Sequence, residues 1–286
     1  MGRPFIDYEE EDATPSGADS EDWLKLARAV LSELGYGSDG DAGLEGLLTH
    51  FASIRKPAWK PRDGDVPEGA GLSLLDSKIG GLPFLLPDED WPSNNGDGLS
   101  FLWQFRVQEL PGPVRAALGH STGLMQLFIS EALDEDEGRW YLVRVVEESQ
   151  LRPRDPAQVA AQLPHEHFEL YPERAVLGFD RFMDCPCTED ALSDLPPGVG
   201  EDQAAVVLDR LASAGLYGTQ SGDKLMGWPN WCQGSEWVEA ETGQRYLQVV
   251  QVEGTLVPFA VGDSGTLVLQ RHPTDRAVWG VSWACC

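Results

Sequence analysis

Apolar positions in the first part of the chain recur at helical spacing. Trp23, Ala27, Val30, Leu31 and Leu34 fall on one stripe, with Ser20 at the N-cap, Glu21 and Asp22 in the positive first turn and Gly35 as the stop. A second helix is predicted from about Asp41, with Leu44, Leu47, Leu48, Phe51 and Ile54 on one face. Pro57 and Pro61 end it, and "KPRDGDVPEGAG" reads as a loop. From residue 71 the pattern changes to short runs rich in aromatic and branched residues: "LSFLWQFRV" (99–107), "GLMQLFIS" (123–130), "RWYLVRVVE" (139–147) and "AVLGFDRFM" (175–183). "EDQAAVVLDRLASAG" (201–215) returns to helical period, with Ala204, Val207, Leu208, Leu211 and Ala214 inward. Strands are predicted again at 245–253, 255–261, 265–272 and 277–283. Helices early and once in the middle, between runs of strands, predict an α+β fold.

One stretch occurs twice. "SKIGGLPFLLPDEDW" (77–91) aligns with "DKLMGWPNWCQGSEW" (223–237), placing Lys78 on Lys224, Gly81 on Gly227, Pro83 on Pro229 and Trp91 on Trp237. Further on, Gln104 in "LWQF" meets Gln251 in "VVQV", and "GLMQLF" (123–128) meets "GTLVLQ" (265–270). The order of these landmarks predicts an internal duplication: two related strand-rich halves, about 71–183 and 216–283, packed about a pseudo-twofold axis and joined by the helix at 201–215. Glycines at 80, 81 and 227 admit backbone angles closed to other residues, and proline fixes the next one, so the same tight turn is expected twice. Residues 1–19 read as an acidic disordered tail, and 20–286 as one domain.

Charge narrows the partners. Acids outnumber Lys plus Arg by 47 to 21, a formal charge of −26. Such a surface repels nucleic-acid phosphates and anionic membranes and attracts basic proteins or cations. The acidic start "MGRPFIDYEEEDATPS" does not read as a signal peptide, and no apolar run approaches bilayer length. Five cysteines without an export signal predict reduced thiols and a cytoplasmic protein. The terminal "WACC" follows a predicted strand, which argues against a lipidated tail.

On "SKIGGLPFLLPDEDWP", "LSFLWQFRVQELP", "GLMQLFIS", "DKLMGWPNWCQG" and "GDSGTLVL", the chain resembles the YwqG-like family of bacterial proteins over roughly residues 54–283. The resemblance implies an α+β fold with internal duplication and no established activity. Some members lie near secreted toxin systems, which implies an immunity-like role. The long acidic N-terminus, the "CPC" at 185–187 and the final Cys pair depart from the family pattern.

Candidate ligand-binding residues are the duplicated ones: Lys78, Lys224, Gln104, Gln251, Trp91 and Trp237, placed around a crevice between the halves where the lysines would hold an anion. The competing reading is structural: lysines in salt bridges, glutamines tying backbone together. His165, His167, Cys185 and Cys187 are weak candidates for zinc, because Cys-Pro-Cys is a poor chelating turn. No phosphate loop, nucleophile elbow or metalloprotease spacing is present in the sequence, and neither a catalytic set nor a cofactor is expected. The sequence therefore points to a non-catalytic interaction protein that engages a basic partner, with an enzyme or small-ligand binder using the crevice as the alternative.

Overall fold

A computed structural model describes residues 17–36, 42–66, 71–130, 140–165 and 168–285. Helices α1 (Gly17–Glu33) and α2 (Ala42–Ile54) precede a long strand β1 (Lys56–Asp65). The first run of strands is β2 (Lys78–Ile79), a small hairpin β3–β4 (Ser93–Asn94, Asp97–Gly98), β5 (Ser100–Arg106), β6 (Leu124–Ile129) and β7 (Tyr141–Val146), with α3 (Gly112–Leu118) between β5 and β6 and α4 (Pro156–Ala160) after β7. A second long strand, β8 (Arg174–Asp184), leads through α5 (Thr188–Leu192) and α6 (Glu201–Ser213) into β9 (Lys224–Met226), β10 (Leu247–Val252), β11 (Thr266–Arg271) and β12 (Trp279–Ala284).

Ten strands form one antiparallel sheet in the order β12-β11-β10-β9-β1-β8-β2-β5-β6-β7. Outward from the central β1–β8 pair, both directions present a short strand carrying a lysine, a strand carrying a glutamine, and two further strands. The sheet curls until its edge strands approach one another, and the Tyr141 hydroxyl donates to Trp279 O across the gap (3.4 Å). The curl encloses an apolar filling drawn from both wings: Trp103, Phe105, Met125 and Leu127 from one, Val250, Val252, Leu267 and Leu269 from the other, with Trp59 and Leu225 between them. A second core forms where α1, α2, α5 and α6 pack around Phe51 and Tyr217. A third lies under the loops of the first wing, around Phe84, Trp91, Phe101 and Phe128.

Several expectations are corrected. The segment read as a loop after Pro57 is β1, at the centre of the sheet. Its other neighbour, β9, ladders only with Ala58 and Trp59, so on that side the pairing never reaches Pro57 or Pro61, where a nitrogen without hydrogen would break it. The run 255–261 is not a strand. The Asp223 carboxylate accepts from the backbone N–H of Glu253, Gly254 and Leu256 (2.5, 3.0 and 2.7 Å), which closes the chain into a turn instead. Ser20 lies inside α1, and Asp19 pairs with Arg181 (2.9 Å), so the first helix already includes part of the presumed tail; residues 1–16 lie outside the described residues. The connecting helix ends at Ser213, and α3, α4 and α5 are additional. Cys232 is disulfide-bonded, while Cys185, Cys187 and Cys285 are free thiols, so the five cysteines are not uniformly reduced.

The repeated turn is visible in the backbone. Gly80 and Gly81 have φ of 61° and 67°, and Met226 and Gly227, at the aligned positions, have 60° and 84°. Two consecutive left-handed residues thus stand at the end of each lysine strand, the first of them the last residue of β9 on the second wing, and Met226 adopts a conformation that side chains disfavour by about 1–2 kcal/mol. At Gly80 a side chain is blocked as well as strained: a Cβ would collide with the backbone carbonyls of Pro172 and Tyr171. Gly35, also left-handed at 82°, has open space around it. Gly80→Ala is expected to lower unfolding free energy by about 3 kcal/mol or more, and Gly35→Ala by only about 1–2 kcal/mol. Urea titration of the two variants measures the difference, and equal losses would contradict the steric account.

Candidate functional site

The six side chains aligned in the sequence sit in hydrogen-bonded or packed positions on the two wings. Gln104 is fully buried; its carbonyl accepts from Phe84 N (3.0 Å) and its amide donates to Leu74 O and Asp76 O (2.7 and 2.8 Å). Gln251 does the same work on the other wing: its carbonyl accepts from Asn230 N (2.8 Å), and its amide donates to Gly222 O (2.9 Å) and, at longer range, to Gln220 O (3.4 Å). Each carboxamide therefore clamps the loop before and the loop after its lysine strand. Lys78 Nζ donates to Glu173 Oε1 (3.0 Å), and Lys224 Nζ to Asp184 Oδ2 (2.7 Å) and Gln220 O (2.5 Å). Asp184, with no exposed side-chain surface, accepts in addition from Gln220 N, Trp228 N and Cys185 N. Burial pushes the Asp184 carboxyl up and the Lys224 ammonium down, and their mutual contact pulls both back. Burial likewise lowers Lys78, with Glu173 opposing.

These residues do not meet at one crevice. Lys78 on β2 and Lys224 on β9 are separated by β8 and β1, so at ordinary strand spacing roughly 14 Å of sheet divides them. Trp91 is buried, donates to Leu99 O (2.9 Å) and packs edge-on against Phe128 and Phe168. Trp237 donates to both oxygens of Asp190 (2.9 and 3.1 Å), which also accepts from Trp231 Nε1 (3.2 Å) and Arg245 (2.9 Å). Among the weak metal candidates, His165 packs on Phe168, Cys185 is buried, Cys187 contacts Asp190 and Ser235, and His167 lies outside the described residues. Among the described residues no group of three or more His, Cys, Asp or Glu is placed to hold a metal ion.

A cleft does lie between the two wings, at the seam where the sheet nearly closes. It measures about 190 Å³ and is lined by Val143, Arg144 and Val145 of β7, by Arg271 and Trp279 across the gap, and by His120, Arg276 and Ala277. Arg144 is neutralised by Glu89 and bonded to Gln126 Oε1 (2.8 Å), and His120 faces Glu147 (3.4 Å). The other two cations differ. Arg271 is only 5% exposed; its guanidinium donates to Ala117 O (2.8 Å) and to Arg276 O, stacks over Trp279 at 5.3 Å, and leaves Nε buried without a partner among the described residues. Arg276 crosses Gly119 at the C-terminal end of α3, where a side chain at 119 would strike it. Neither arginine forms an ion pair among the described residues. Burial, and then the neighbouring Arg276, bring Arg271 down to about 10, against the weaker pull of Asp275. The sequence concealed this site because Arg271 ends an apolar strand and Arg276 sits in the turn after it; only closure of the sheet brings them to β7.

Together these features define a class: a mixed helix-and-strand protein built on one curled antiparallel sheet, with a cation-lined cleft at its seam. The family model described as a domain of unknown function, DUF1963, matches residues 77–276, well over half of the chain, and the protein belongs to that family. No curated protein matches the chain.

Removing Lys224 leaves Asp184 buried and uncompensated, whereas Glu173, with 29% of its side chain exposed, retains access to water. Lys224→Met is expected to cost about 3–5 kcal/mol of unfolding free energy, and Lys78→Met roughly half of that or less. Paired denaturant titrations at pH 7 measure both.

Proposed function

We propose that this chain is a non-catalytic binding protein of the YwqG-like kind, built by internal duplication, which holds a small anion in the cleft where its two halves meet. The observation that carries the reading is Arg271: a guanidinium almost wholly removed from water, with one N–H unmet and a second arginine beside it, in a protein that otherwise carries a large negative charge. Two arginines with only the weaker field of Asp275 beside them repel, and an anion with oxygens to accept from their guanidinium nitrogens relieves that repulsion. Trp279, Val143 and Val145 add apolar wall, which suits a small carboxylate or phosphate ester with a compact body. This places the anion elsewhere than the buried lysines, whose charges are already matched.

The duplication is supported by matching detail. Each glutamine bonds to the residues four and two before, and six after, its own lysine. Arg106 N donates to Ser77 Oγ as Glu253 N does to Asp223 Oδ1, the serine and aspartate being aligned. The register of β5 with β6 is interrupted between Phe101 and Trp103, and that of β10 with β11 between the aligned Gln248 and Val250.

A second reading, favoured by the excess of 47 acids over 21 basic residues, is that the acidic surface engages a basic protein, immunity-like, in the cytoplasm. Three free thiols fit that compartment, and the disulfide at Cys232 weighs against it. No helix among the described residues is long and apolar enough to cross a membrane.

Thermal unfolding with phosphate, phosphate esters and small carboxylates at constant ionic strength tests the cleft. A ligand at one hundred times its Kd adds about 2.7 kcal/mol and raises Tm by several degrees. The rise is expected in the parent and not in Arg276→Gln; equal shifts in both, or the same shift from chloride, would refute the cleft. Co-purification from the native host in low salt tests the second reading, and recovery of no basic protein counts against it.

A further inference from the structure

The first residue of β1 is a cation whose counter-ions are engaged elsewhere. Lys56 stands opposite Asp184 in the β1–β8 register. Asp184, however, is held by Lys224 and by three backbone amides. The other carboxylate whose field reaches Lys56 is Asp190, which is ringed by the indole N–H groups of Trp231 and Trp237 and by Arg245. Lys56 forms no ion pair or hydrogen bond among the described residues. Its ammonium instead lies 3.4 Å from the centre of the Trp228 ring.

That ring is fixed. Trp228 Nε1 donates to Ile54 O (2.7 Å), and the indole meets Trp237 edge-on at 5.9 Å; Trp231 meets Trp237 in the same way at 5.5 Å. All three indoles are part-exposed, as is Lys56. Burial lowers Lys56 to about 8; Asp190 opposes this, Arg245 adds to it, and Asp184 opposes it more weakly. At about 8, roughly a tenth of the Lys56 amine is neutral at pH 7, a minor but reactive fraction of the kind that attacks carbonyl carbon.

We propose that Lys56 is a nucleophilic lysine that forms an imine with an aldehyde or ketone bearing a flat apolar body, which the surrounding indoles would cover. The amine lone pair attacks the carbonyl carbon, a C–N bond forms, and the carbonyl oxygen leaves as water with both amine protons, giving a C=N bond that water can reverse. The step needs no oxidant or reductant. It is independent of the seam cleft, and neither proposal falls with the other.

The chain supplies its own controls, since its lysines are Lys25, Lys56, Lys60, Lys78 and Lys224. Lys25 is exposed, and Lys78 and Lys224 are ion-paired. The full chain is treated with benzaldehyde and, separately, formaldehyde, each with cyanoborohydride to trap the imine, and labelling of each lysine is followed by peptide mass spectrometry. One unit of pKa is a tenfold change in neutral amine, so at pH 7 Lys56 is expected to label at least about tenfold faster than Lys25, with the ratio falling towards one at pH 10. The ratio is expected to be larger for benzaldehyde than for formaldehyde. Lys56→Arg is expected to lose the fast label while keeping the parent Tm. Lys25 labelling as fast as Lys56 at pH 7, or a ratio unchanged by pH, would overturn the nucleophile; a ratio no larger for benzaldehyde would overturn the apolar ligand class.

Discussion

A single buried carboxylate organises the second wing. Asp184 ends β8, faces β1, and gathers Lys224 with the amides of Gln220 and Trp228, so one side chain fixes the loop before β9, β9 itself and the turn after it. Inside a protein a carboxylate and an ammonium are stable only when each is the other's partner and the remaining oxygen sites meet donors. Gly227 is part of that requirement, because a Cβ there would press on Asp184 and Ala58. The same completeness has a consequence at the start of β1: with its oxygens committed, Asp184 cannot neutralise Lys56 across the strand pair, and Trp228 takes up the ammonium instead.

The two wings solve one problem with different chemistry. A short lysine strand must be covered by a loop on each side, and those loops carry backbone groups that no strand can satisfy. A buried glutamine, with an acceptor and two donors at one point, closes both loops at once on either wing. The partner of the lysine is free to vary, Glu173 on one side and Asp184 on the other, because a carboxylate can arrive from any neighbouring backbone position. The tryptophans vary further: Trp91 closes on a carbonyl, Trp237 on the Asp190 carboxylate.

What could be read from the chain followed from this division. Patterns that recur in the same order, such as Lys78 with Gln104 and, one residue further apart, Lys224 with Gln251, were legible because local turns and adjacent strands carry them. The mixed class and most strands were legible from alternation and aromatic runs. The central strand β1 was not, since Pro57 and Pro61 carry the local signature of a loop and only the shortness of β9 makes them acceptable. Nor was the strand exchange: β1 precedes the first wing yet pairs with β9, and β8 precedes the second wing yet pairs with β2. The cleft was hidden for the same reason, because Arg144 and Arg271 lie far apart in sequence and meet only when the sheet curls.

Charge then acts on two length scales. At physiological ionic strength a field decays over about 8 Å, so beyond that distance an approaching molecule meets the mean acidity of the surface, and within it the nearest side chains. A basic protein is drawn in from afar and weakened by salt. A small anion would be held off from afar and would gain only at contact with Arg271 and Arg276, so added salt would ease its approach while screening its binding far less in a half-closed cleft. The two proposed modes of binding therefore need no shared surface and respond to salt in opposite ways. Any selectivity at the seam would then come from the fixed geometry of the guanidinium donors and the apolar wall beside them rather than from long-range attraction.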